Sequence, residues 1–106
     1  MKVAAICDKD TAIGLRLAGI KDVYIPGNDI ETINLISKLI EEEFSVIFIN
    51  EAISSKLGKR LYDIRLQVEI PIIVEIPGKK GHLPEYVDYI SKLIKKAVGI
   101  EVYRQK

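Results

Sequence analysis

Four short runs rich in apolar and β-branched residues alternate with four stretches of helical spacing, and that alternation limits what this chain can become. The runs are Lys2–Cys7, Asp22–Ile25, Ser45–Asn50 and Ile70–Ile76. Between successive runs lies enough chain for a crossover helix, so the strands pair in parallel with right-handed connections. The expected architecture is α/β: a single open parallel four-stranded sheet in the flavodoxin-like order 2-1-3-4, with helices on both faces. Ser45–Asn50 (SVIFIN) is almost continuously apolar, as a strand buried on both faces should be. Pro71 cannot donate to a ladder and belongs at a strand start or on an edge. At 106 residues the chain has room for one domain, expected over residues 1–99, followed by a short C-terminal tail over residues 100–106.

The intervening stretches carry their own punctuation. Thr11–Ala18 reads as a short helix stopped by Gly19 in the left-handed region. Asn28, with Glu31 three residues on, has capping-box spacing, and the helix it opens runs to about Glu43 with Ile33, Ile36 and Ile40 on one face. Ala52–Leu66 has helical spacing through Ile53, Leu57, Leu61 and Ile64, with Gly58 as an internal weak point. A last amphipathic helix is expected over Glu85–Val98, stopped by Gly99.

Function in an open parallel sheet sits at the carboxyl ends of its strands. After the first strand this chain has Cys7-Asp8-Lys9-Asp10-Thr11, with no glycine before Gly14. A phosphate-binding turn needs glycines that let backbone N–H groups approach the anion, and two carboxylates there repel it. Asp8 and Asp10 are read as structural: Asp10 caps the helix, Asp8 holds the turn, and Arg16 pairs with one of them. The other reading makes the acidic loop a docking surface for another protein. A phosphoryl-accepting receiver needs a carboxylate at the end of the third strand, where this chain has Asn50, with Glu51 one residue late. Cys7 lacks the electropositive surroundings that activate a thiol and is read as structural. His82 stands in the Pro77–Pro84 loop with no carboxylate or thiol at ligand spacing. Lys79, Lys80, Lys92, Lys95 and Lys96 are read as a solvated face rather than a nucleic-acid groove, because the net charge is only +1. No catalytic residue, cofactor, metal or nucleic-acid partner is expected. No apolar run approaches the ~20 residues of a membrane span, and one cysteine allows no internal disulfide. The tail Ile100-Glu101-Val102-Tyr103-Arg104 is apolar and aromatic enough to be either a docking segment or a strap across its own domain.

Several pieces, in order and at their spacing, resemble the F subunit of the archaeal and vacuolar-type (A/V-type) ATP synthases. They are Asp8-Lys9-Asp10-Thr11, Arg16-Leu17-Ala18-Gly19, Phe48-Ile49-Asn50-Glu51, Pro71-Ile72-Ile73-Val74-Glu75-Ile76-Pro77 and Ala97-Val98-Gly99-Ile100. The resemblance covers essentially the whole chain, with cysteine at position 7 where the family commonly has glycine. It implies a non-catalytic central-stalk subunit, without an active site of its own. Such a subunit binds the coiled-coil D subunit and turns with it inside the ring of A and B subunits. It is a peripheral part of the complex on the cytoplasmic side of the membrane, helping couple ATP synthesis or hydrolysis to H+ or Na+ transport. The resemblance further implies a C-terminal segment that moves, which makes Ile100, Val102, Tyr103 and Arg104 candidate partner-facing residues. The competing reading is a free-standing receiver-like regulatory domain that binds Mg2+ or a small ligand at Asp8, Asp10 and Glu51.

Overall fold

The computed structural model describes residues 2–77 together with Lys92 and Lys96. Within them the chain runs β1 (Val3–Ile6), α1 (Lys9–Leu17), β2 (Asp22–Tyr24), α2 (Asp29–Glu41), β3 (Val46–Asn50), α3 (Glu51–Leu57), α4 (Lys59–Gln67) and β4 (Ile72–Ile76). The strands form one open sheet in the order β2-β1-β3-β4, and every pairing is parallel. This is the expected topology. All five residues of β3 are buried, as its unbroken apolar run predicts for a central strand.

Side chains that alternate along the strands divide the core into two layers. Ala5, Cys7, Val46, Phe48 and Ile76 pack with Ala12 and Leu15 of α1 and with Ile20. Ala4, Ile6, Ile47 and Ile49 point the other way, against Ile36 and Leu39 of α2, Phe44, Leu57 of α3 and Leu61 of α4. Helices therefore cover both faces of the sheet.

Three boundaries differ from the sequence expectation for physical reasons. The first helix begins at Lys9 rather than Thr11, because its cap is Asp8. The stretch expected to be one helix over Ala52–Leu66 breaks at Gly58 (φ 52°, ψ −123°), a backbone conformation that a side chain would strain. The fourth strand starts at Ile72, just after Pro71, and lies at the end of the strand order. The expected helix over Glu85–Val98 lies outside the described residues, apart from Lys92 and Lys96, which are helical and exposed.

The two helices before β3 end in the same way. After α1, the Gly19 N–H donates to the Arg16 carbonyl and the Ile20 N–H to that of Leu15, a Schellman motif with Gly19 at φ 104°. After α2, the Glu43 N–H donates to the Ile40 carbonyl and the Phe44 N–H to that of Leu39, but the left-handed residue is Glu43 at φ 61°. What holds glutamate there comes from outside the helix. Lys2 Nζ donates to the Glu42 carbonyl at 2.9 Å, and the same ammonium stands 5.2 Å from the centre of the Phe44 ring. A cation beside the last carbonyls and over an aromatic face is favourable on both counts.

Candidate functional site

The candidate site is the turn from β1 into α1, where the carboxyl ends of β1 and β3 lie side by side. The pairing of Ile6 with Ile49 brings Asn50, the last residue of β3, next to the turn that begins at Cys7. Asn50 is 1% exposed and uses both ends of its amide. Its Oδ1 accepts from the Asp8 N–H at 2.7 Å, and its Nδ2 donates to Thr11 Oγ1 at 3.3 Å. Asp8 in turn accepts the Thr11 N–H on Oδ1 at 2.7 Å, which makes it the N-cap of α1. The Ala12 N–H goes to the Asp8 carbonyl and the Cys7 N–H to that of Tyr24.

This arrangement defines what the turn can do. The amides of Cys7, Asp8, Thr11 and Ala12 are all donated within the fold. An anion cradle needs such groups aimed outward. These four are instead spent in a hydrogen-bond network that ties the first helix to the third strand. The exposed rim of the turn, Asp8, Lys9 and Asp10, carries two carboxylates and an ammonium.

Cys7 lies beneath the network and is fully buried. Burial pushes its thiol pKa up to about 12, the neighbouring Asp8 carboxylate adds to the rise, and Arg16 pulls the other way. A thiol held protonated is a poor nucleophile, so Cys7 acts here as a small core residue.

Sequence reasoning puts the cap on Asp10. It is Asp8 that caps, and Asp10 lies inside the first turn, where its charge suits the helix N-terminus. Arg16 is exposed in the last turn of α1, the favourable end for a cation. Gly19 occupies the left-handed position that its spacing indicates. Among the described residues, no three His, Cys, Asp or Glu side chains gather into a group that could hold a metal ion. Asp8, Asp10 and Glu51 therefore do not assemble into the Mg2+ site of the receiver-like reading. His82, Lys79, Lys80, Lys95, Ile100, Val102, Tyr103 and Arg104 lie outside the described residues.

What sequence reasoning misses is the work of Asn50, whose amide it treats only as a failed phosphoryl acceptor. The signal is a polar residue closing an otherwise apolar central strand, where burial obliges it to find partners.

Comparison with known proteins gives this geometry its context. The profile of the family described as ATP synthase (F/14-kDa) subunit matches residues 3–94. The chain belongs to that family. Relatives agree over nearly full length. The F subunit of the A-type ATP synthase of Methanocaldococcus jannaschii is 41% identical over 96% of this chain and 99% of its own. Its counterpart in Thermococcus onnurineus is 36% identical over 98% of this chain and 100% of its own. That of Methanothermobacter thermautotrophicus is 31% identical over 96% of each. In this F/14-kDa subunit the strand ends carry a structural network, and no helix among the described residues is long and apolar enough to cross a membrane.

Proposed function

We propose that this chain is a non-catalytic central-stalk subunit of an A/V-type ATP synthase. It binds the D subunit, turns with it within the ring of A and B subunits, and helps couple ATP synthesis or hydrolysis to H+ or Na+ transport. It sits on the cytoplasmic side of the membrane as a peripheral part of the complex. The observation that carries the reading is the near-full-length likeness to the F subunits of A-type ATP synthases. The β1–α1 turn supports it, since the amides of Cys7, Asp8, Thr11 and Ala12 are donated within the fold and the thiol beneath it is held protonated. A rigid α/β body whose value lies in its surfaces fits a structural part of a larger machine.

Within this reading, residues 1–99 form the body, and residues 100–106 form a tail that meets the complex through Ile100, Val102, Tyr103 and Arg104. The experiment is to tag the chain in its native cells, solubilise membranes gently and identify what co-purifies. Recovery of the D, A and B subunits with ATPase activity supports the stalk assignment; a tagged chain recovered alone refutes it. The tail is tested by ending the chain after Gly99 and rebuilding the complex. Assembly with weakened coupling is expected, and unchanged activity would remove the tail from the proposal.

A further inference from the structure

Among the described residues, the outer edge of β4 is met by one side chain. Ile72 donates its N–H to the Ser45 carbonyl of the neighbouring chain segment at 2.9 Å, and β4 pairs with β3 from Ile72 to Ile76. In a parallel ladder alternate residues turn their N–H and C=O groups to the same side. Ile72, Val74 and Ile76 therefore bond inward, and the backbone groups of Ile73 and Glu75 point away from the sheet. A row of this kind is a template for another strand. The sequence of β4, Ile-Ile-Val-Glu-Ile, has high strand propensity, and Leu66, Ile70 and Ile72 beside it are 69%, 64% and 46% exposed.

Arg65, on α4, lies across this row. Its Nη2 donates to the Ile73 carbonyl at 3.0 Å, while its Nη1 stands 3.5 Å from Glu75 Oε1. One guanidinium thus occupies an outward carbonyl of the edge and fixes the carboxylate of the next outward residue.

We infer that Arg65 closes the edge of β4 against strand addition by a second copy of this chain. The geometry favours a second copy, because antiparallel β4–β4 pairing centred on Val74 is self-complementary. It sets Ile73 of each copy opposite Glu75 of the other, so the outward backbone groups of both strands find partners. Arg65 must leave the Ile73 carbonyl before that pairing can form. The inference concerns the body of the domain alone and is independent of the stalk assignment.

The test is sedimentation velocity of the full chain over a concentration series, comparing wild type with R65A, R60A and the double variant R65A/E75P. R60A removes another exposed arginine of the same helix, one that pairs with Asp29 at 3.6 Å rather than with β4. Proline at position 75 removes an outward N–H and leaves the β3 ladder intact. Self-association of R65A about a hundredfold stronger than wild type is expected, matching the loss of one charge-assisted hydrogen bond, worth about tenfold, in each of the two copies. R60A should behave as wild type, and R65A/E75P should return to the monomer. Wild-type behaviour of R65A overturns the inference, as does equal association of R60A or a folded R65A/E75P that still dimerises. Should circular dichroism find the double variant unfolded, amide exchange in R65A decides the matter. Concentration-dependent slowing at Ile73 and Glu75 supports edge pairing, and unchanged exchange there overturns it.

Discussion

The starts of α1 and α2 do the same job by different means. At α2 the work is local: Asn28 Oδ1 accepts the Glu31 N–H at 2.8 Å, and the Glu31 carboxylate reaches back to the Gly27 N–H. Both contacts are exposed and lie within four residues of one another. At α1 the cap is local, from Asp8 to Thr11, but Asp8 itself is held by Asn50, 42 residues further along the chain. One helix start is fixed by its own neighbourhood, and the other only once the sheet has assembled. The first kind of capping contributes to a helix; the second also sets where that helix sits on the sheet.

Substitutions should separate the two kinds. The largest effect is expected at Asn50. Asn50→Ala leaves the Asp8 amide without its buried acceptor and opens a small void, at a cost of about 3 kcal/mol in urea unfolding. A loss no greater than that of an exposed cap would break the contrast.

The pH dependence sharpens it further, because only the α1 start covers a buried thiol. With its folded pKa at about 12, against an ordinary 9.0, Cys7 keeps its proton in the native state after the unfolded chain has lost it. Stability is thus unaffected by this group below pH 9 and falls as the pH rises from there towards 12, by at most about 1.4 kcal/mol per unit. Denaturation followed at about pH 8, 9 and 10 should show this slope in wild type and its loss in Cys7→Ala.

The caps themselves come next. Asp8→Ala and Asn28→Ala should each cost about 1 kcal/mol. In double-mutant cycles with Asn50→Ala, Asp8 should couple and Asn28 should add independently. Equal coupling at both sites would show that the network is not confined to the first turn. The smallest effect belongs to the far ends of the same helices. Glu43→Gly should stabilise by up to about 1 kcal/mol, since glycine takes the left-handed conformation at little cost. Chemical denaturation checks the sign.

The same contrast explains what can be read in advance. The Asn28–Glu31 spacing, the Gly19 stop and the apolar run of β3 are local or periodic signals, and each appears in the structure. Crossover handedness and burial on both faces give the open parallel sheet, and its order is that of the flavodoxin-like arrangement. The cap is misplaced by two residues in the sequence because either aspartate fits the local pattern, and only the register of β1 against β3 chooses between them. Asn50 and Lys2 act through tertiary contacts that no spacing within one element encodes. The candidate site is legible in what it lacks, glycines and a phosphoryl acceptor, but not in the network that takes their place.

The lower end of the sheet is fastened differently from the upper one. There the Lys2 carbonyl receives the N–H groups of Ser45 and Val46, and the Ser45 carbonyl receives that of Ile72, so three strands are joined through main-chain atoms. Such a seam is indifferent to which side chains the residues bear and vulnerable to a break in the chain. The network at Asn50 has the opposite profile, because one altered side chain undoes it. Sequence drift should therefore be freer at Ser45 than at Asn50, whereas a protease nick beside Ser45 should do more harm than any single substitution there.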